Sequence, residues 1–272
     1  MNASLPFPLI AVDIGNNRIK LGRFERFPGE GLPVPTHTLH IADNTASLDP
    51  IGAWLADASP CGSWWIGSVN RPATTRLVNW LRIHEQRCIT LVAAGDLALR
   101  VELARPDMVG IDRLLDAVAA NQLRDPDRAA VIVDIGSAIT VDLLSRDGVF
   151  RGGAIAPGIA MSARALHEFT DLLPQIDMLE LGAAPPPLGT STPDAMRSGL
   201  FWGAVGTIRE LVGRISQHLP GPPQLFLTGG AGPAVASLLG AETQHVPHLT
   251  LAGIAVAAAG AMRKAEGGRE KE

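Results

Sequence analysis

The sequence predicts an α/β protein of two domains with a similar plan, each offering an acidic hairpin to a shared cleft. Three observations carry that expectation. Residues 9–14 are a short apolar run that reads as a buried strand. Asp13 stands near its end, Gly15, Asn16 and Asn17 make a polar tip, and alternation resumes at Ile19, Leu21 and Phe24 as a returning strand would. Residues 131–144 repeat the plan, with Asp134-Ile135-Gly136, a small polar tip at Ser137, and a second strand through Val141 and Leu143. A repeat spaced this widely is not a solenoid period. Finally, 272 residues with 46% hydrophobic and 18% charged side chains suffice for one or two ordinary cores.

The first hairpin has chemistry as well as shape. A glycine-containing tip can point backbone N–H groups at a phosphate, and Asp13 can hold a hydrated magnesium ion nearby. Lys20 lies on the returning strand. The chain has three lysines, and the other two, Lys264 and Lys271, fall at its end. A compact ammonium suits phosphate as a point charge.

After the hairpin, residues 27–35 are rich in Gly and Pro and read as loop. A third strand is expected over 36–41, a helix over 47–56, a strand over 64–69 ending at Asn70-Arg71-Pro72, a helix over 74–83 with Leu77, Trp80 and Leu81 on one face, and a short strand over 89–92. Leu114, Leu115, Val118, Ala119 and Leu123 define a helix starting near Asp112, where an acid is favoured by the helix dipole. Residues 121–128 read as the connection between domains, placed at 1–125 and 126–272. In the second half, the glycines of 152–159 allow close backbone approach before a helix over 162–169. Thr192 and Pro193 open a long helix as N-cap and N1. Gly199, Gly203 and Gly206 thin that helix, as if another helix approached. A strand at 225–227 runs into the glycine loop Thr228-Gly229-Gly230, and a last helix spans 251–262 before a charged, frayed tail.

Several classes are excluded. A net charge of −4 gives no basic footprint for nucleic acid. Cys61 and Cys88 have no CxxC or metal-ligand spacing and fit a reducing cytoplasm. His245 and His248, split by Pro247, lack the spacing of a zinc site. The N-terminus has no basic leader, and the apolar stretch at 249–262 falls short of the ~20 residues a membrane span needs. No GxGxxG follows the first strand and no GxxxxGK[ST] occurs, against a Rossmann or Walker nucleotide site.

The ordered set Asp13-Ile14-Gly15-Asn16-Asn17, Gly110-Ile111-Asp112-Arg113, Asp134-Ile135-Gly136-Ser137-Ala138-Ile139-Thr140, residues 152–158 and Thr228-Gly229-Gly230 resembles the type III pantothenate kinases, within the superfamily of acetate and sugar kinases, Hsp70 and actin. The resemblance runs from about residue 9 to residue 260. It implies two ribonuclease-H-like domains in the actin-like ATPase fold, with the active site in the cleft between them. It also implies ATP-dependent phosphorylation of pantothenate to 4'-phosphopantothenate, the first step towards coenzyme A, by a cytoplasmic homodimer using magnesium and a monovalent cation, potassium or ammonium. By position, Asp13, Ile14, Gly15, Asn16, Asn17, Arg18, Ile19 and Lys20 would bind ATP with Ser137. Asp112 would be the general base. Gly110, Ile111, Asp112, Arg113 and Thr192 would meet pantothenate. Asp134 would hold the monovalent cation, and Asp13 the magnesium, directly or through water.

The sequence departs from the family pattern at Asn17, where Thr or Ser is usual, and at Ile139, where Thr is usual. Leu103 stands where a substrate-contacting tyrosine is frequent, and the chain has no tyrosine at all. A kinase of another small hydroxy acid or sugar on the same fold, and a catalytically silent nucleotide-binding regulator, are the rival expectations. The joint retention of Asp13, Lys20, Asp112, Arg113 and Asp134 argues against the regulator.

Overall fold

The computed structural model describes residues 7–28, 31–42, 45–56, 62–84, 86, 88–177 and 183–269, the last eight by backbone alone. Cys61, Lys271 and the N-terminal residues 1–6 lie outside the described residues. The chain divides into two compact units, one of residues 1–123 with 248–272 and one of residues 124–247.

The first unit is built on a mixed sheet. Strands β1 (Leu9–Ile14), β2 (Ile19–Phe24), β3 (His37–Ile41), β4 (Ser63–Ser68) and β5 (Ile89–Leu91) lie in the order β3-β2-β1-β4-β5. The hairpin strands β1 and β2 are antiparallel, whereas β4 runs parallel to β1. β1 is buried on both faces, and so reads as a continuous apolar run. Its even residues, Ile10, Val12 and Ile14, join Leu48, Ile51, Leu77 and Leu81 of one core, to which helices α1 (Asp49–Ala56) and α2 (Arg71–Ile83) contribute. The opposite face carries α3 (Ile111–Leu123) and α7 (Leu249–Arg269). A Cβ on Gly67 would come 2.7 Å from Leu115 and 3.4 Å from Ile254, so the sheet must be bare there for the helices to settle. Cross-sheet alternation puts Asp13 on this second face.

The second unit repeats the topology. Its strands β7 (Ala130–Ile135), β8 (Ala138–Leu144), β9 (Val149–Pro157), β10 (Gln224–Thr228) and β11 (Thr243–His245) run β9-β8-β7-β10-β11. Again the hairpin is antiparallel and the next neighbour, β10, is parallel to the first strand. Its core gathers Val131, Val133, Val141, Phe201, Val205 and Ile208. The helices are α4 (Ile159–Glu168), α5 (Thr192–Ser216) and the short α6 (Gly232–Ala236). The two-residue strand β6 (Arg100–Val101) precedes α3 in the chain.

Several expectations shift. The last helix belongs with the first unit, so the expected second domain, 126–272, ends at residue 247. That helix keeps its backbone to Arg269, beyond the start of the expected frayed tail. α2 begins three residues earlier than residue 74, because Asn70 accepts from the Ala73 amide and caps it, with Pro72 in the first turn. Residues 149–157, whose glycines from 152 were expected only to allow close backbone approach, form strand β9. Gly153 lets it lie against β8, where a Cβ would be 2.0 Å from the Val141 carbonyl oxygen. The N-cap of α5 is Ser191, accepting from the Asp194 amide, and Thr192 is the first helical residue. Gly199, Gly203 and Gly206 meet no other helix among the described residues, since a Cβ on each would touch nothing within 4 Å there.

Candidate active site

In the first unit the acidic hairpin holds its charges on one face. Asp13 and Lys20 are cross-strand partners, so their side chains project to the same side. The Lys20 ammonium lies 3.6 Å from an Asp13 carboxylate oxygen. Asp13 is 7% exposed. Burial pushes its carboxyl above the ordinary value of 3.8; Lys20 pulls it back, the negative charge of Asp112 adds to the rise, and Arg18 opposes it. Asp13 is thus a carboxylate held in an expensive place, offset by one ammonium and crowded by a second acid. A cation brought to it would relieve both burial and repulsion.

The tip between the strands spans residues 15–18, closed by the Gly15 amide donating to the Arg18 carbonyl at 3.1 Å. Asn16 and Asn17 are exposed on it. Asn70 Nδ2 donates to the Asn16 carbonyl at 3.4 Å, which ties the tip to the cap of α2. Ile14 and Ile19 are buried and anchor the two ends. The tip therefore presents backbone and amide groups from a fixed base.

Asp112 sits in the first turn of α3, and its Oδ1 accepts from the Arg113 amide at 2.9 Å. The carboxylate is folded back over Gly110, where a Cβ would be 2.5 Å from that oxygen. Gly110 is thus needed for Asp112 to occupy this position. Asp112, Arg113, Gly110 and Ile111 are all partly exposed, open to a ligand. Below them, the buried Asp116 carboxylate accepts from the Thr250 hydroxyl at 2.8 Å, pinning α3 to the start of α7. Sequence reasoning missed that bond, because nothing in the α3 pattern names a partner more than a hundred residues away.

In the second unit the repeated hairpin is tighter, with Gly136 donating to the Ala138 carbonyl at 2.9 Å across a tip one residue shorter. Asp134 aligns with Thr140 on one side and Thr228 on the other. Gly229, at φ +93°, brings the glycine loop under it; a Cβ there would lie 2.4 Å from Asp134 Oδ1 and 2.4 Å from the Ile135 carbonyl oxygen. Carboxylate and carbonyl oxygens are thus gathered around a spot only glycine leaves open. Ser137 is fixed by its carbonyl, which accepts from the Gly158 amide at 3.1 Å. Thr192 is exposed at the N-terminus of α5.

Among the described residues no group of three or more His, Cys, Asp or Glu is gathered as a metal cage, and no helix is long and apolar enough to cross a membrane. Each unit carries one acid next to the tip of its hairpin, Asp13 in the first and Asp134 in the second.

Solved structures similar to the chain define its class. The activator of the 2-hydroxyisocaproyl-CoA dehydratase from Clostridium difficile with bound ADPNP superposes with a TM-score of 0.54 at 13% identity, covering 97% of each chain. A putative 2-dehydro-3-deoxygalactonokinase from Sinorhizobium meliloti gives 0.53 at 14%, covering 92% of this chain and 95% of the other. At such identities the likeness establishes the fold, a mixed α/β architecture of the actin-like ATPase type.

The family model for type III pantothenate kinase matches residues 9–214. Type III pantothenate kinases of Dehalococcoides mccartyi (strain CBDB1) and Acidiphilium cryptum (strain JF-5) are 35% and 36% identical, each over 90% of this chain and 93% and 92% of theirs. The chain belongs to the type III pantothenate kinase family, whose members use ATP to phosphorylate pantothenate in coenzyme A biosynthesis.

Proposed function

We propose that the transfer of phosphate from ATP to pantothenate is performed by the residues of the two hairpins and the first turn of α3. The observation that carries this reading is the buried Asp13 paired with Lys20 and repelled by Asp112. Phosphoryl transfer asks a protein mainly for positioning and charge neutralisation. The amides of Gly15, Asn16 and Asn17, with Arg18 and Lys20, receive the phosphates, and Ile14 and Ile19 hold the strands that carry them. Ser137 contacts the nucleotide from the second hairpin. Magnesium at Asp13, held directly or through water, supplies positive charge to the phosphates. A potassium or ammonium ion suits the oxygens around Asp134.

Asp112 accepts the proton of the pantothenate hydroxyl as its oxygen attacks the γ-phosphorus. The hydrogen bond from the Arg113 amide keeps that carboxylate in one orientation. The Arg113 guanidinium forks onto the pantothenate carboxylate, while Gly110 and Ile111 line the approach. Thr192, exposed at the start of α5, contacts pantothenate bound to a second copy in a homodimer. The open stripe of Gly199, Gly203 and Gly206 on the same helix is where the two copies meet.

The test is pantothenate phosphorylation by the purified chain with ATP and magnesium, with potassium, ammonium or sodium varied. We expect 4'-phosphopantothenate, with turnover that rises on adding potassium or ammonium. Equal turnover in all three salts would remove the role given to Asp134. Product formation unaffected by Asp112→Asn would remove the general base.

A further inference from the structure

Beside the Asp13–Lys20 ion pair lie two histidines, His40 and His248, with no part in the scheme above. His40 on β3 is the register partner of Lys20, as Asp13 is on the other side, so the three form a row on one face of the sheet. His248 immediately precedes α7, and its ring meets that of His40 edge-on at 5.9 Å between centroids. Lys20 acts electrostatically on both rings.

The backbone at His248 is the independent observation. Its φ is +58°, and among the described residues it is the non-glycine residue with a positive φ. Its carbonyl accepts from the Ala252 amide at 3.0 Å, so it occupies the cap of α7. Glycine or asparagine would adopt this conformation with less strain. Strain of this kind persists where the side chain is needed, and it clusters at ligand sites.

We propose that Lys20, His40 and His248 form an oxyanion subsite for a phosphate group, whose occupancy is linked to protonation of the two rings. The inference rests on reading the adjoining tip, residues 15–18, as a phosphate site. Partial burial and then the Lys20 charge hold both rings below the ordinary histidine value, with the partner ring and Arg18 adding to the effect on His40. Asp13 is the acid in the row, already paired to Lys20, and the first turn of α7 has no acidic residue. An arriving oxyanion reverses this balance: it favours the imidazolium, binds with uptake of a proton, and binds more tightly as pH falls. A ring pKa raised by one unit corresponds to about a tenfold gain in affinity between pH 8 and acid pH.

The experiment follows histidine ring resonances of the full chain by NMR between about pH 5 and about pH 8. The two rings are assigned with His40→Gln and His248→Asn. Sulfate is the first probe because its charge is constant over this range, and ATP is the second. We expect both rings to titrate at higher pH with sulfate, and sulfate affinity to rise about tenfold towards acid pH. Each variant should lose most of that rise. His248→Asn should keep or raise the melting temperature, since asparagine tolerates the backbone; a merely structural histidine would not leave stability intact. Displacement of the rings' titration by ATP identifies a nucleotide phosphate as the occupant, and displacement by sulfate alone a free anion. Ring titrations unmoved by saturating sulfate and ATP would overturn the subsite. If ATP shifts Asn16 and Asn17 while the rings stay unmoved, the nucleotide site stands and the subsite falls. If sulfate moves the rings and ATP binds nowhere, the nucleotide reading falls and the subsite stands.

Discussion

At the scale of single residues, the site is assembled against stability. Asp13 is buried, and its folded carboxyl holds a proton to higher pH than the unfolded chain does. The folded state therefore binds more protons above the ordinary value of 3.8, and this residue's contribution to stability falls as pH rises from there through the folded value. Asp13→Asn should melt higher than the parent at neutral pH without magnesium or nucleotide, converge with it in strong acid, and lose phosphorylation; thermal melts across pH check it. Asp112→Asn should fold and bind ATP but lose turnover by about 10²-fold or more, as removal of a general base does, read as kcat. Gly229→Ala must strain a backbone at φ +93° and push on Asp134. It should lose the response to potassium, in assays at saturating ATP, before it loses binding of pantothenate. The parts proposed for Asp13 and Asp134 start from the glycine hairpins that the sequence repeats, whereas the residues alone read Asp112 as an acid opening a helix and only the family resemblance makes it a base. The Asp116–Thr250 bond was not legible, because its partners meet only after folding.

At the scale of elements, the strands with alternating or continuous apolar residues were legible in the sequence; the short strands β6 and β11 were not, being too brief to show a period, and other errors fall where glycine or proline stands inside an element. β9 carries Gly152 and Gly153, and its identity comes from pairing with β8, which local propensity does not record. Pro72 reads as a break, yet here it sits in the first turn of α2 behind the Asn70 cap. The same logic placed the cap of α5 one residue late, at Thr192 instead of Ser191. Ser191→Ala should cost about 1 kcal/mol by denaturant unfolding, whereas Thr192→Ala should leave stability nearly unchanged and raise KM for pantothenate. The glycine stripe of α5 gives another test. Gly203→Arg should shift the sedimentation of the chain from dimer towards monomer; a dimer that tolerates the arginine would place the interface elsewhere.

At the scale of the whole molecule, the repeated topology of the two sheets was legible from two matching hairpins, and the allegiance of the last helix was not. Periodicity tells that residues 249–262 form a helix with apolar faces but not which sheet receives it. The close fit of α7 on α3 decides it: a Cβ on Gly253 would lie 2.1 Å from the Leu115 carbonyl oxygen. Gly253→Ala should accordingly destabilise the first unit by about 1–3 kcal/mol, measurable by urea unfolding. The return of the chain to its starting unit has a consequence for synthesis. The unit of residues 124–247 is contiguous and can fold as it leaves the ribosome, whereas the unit of residues 1–123 waits, one helix short, until residues 248–272 are translated. A nascent chain stalled before residue 248 would then carry an earlier half that is still easily cut by protease and a later half that already resists it.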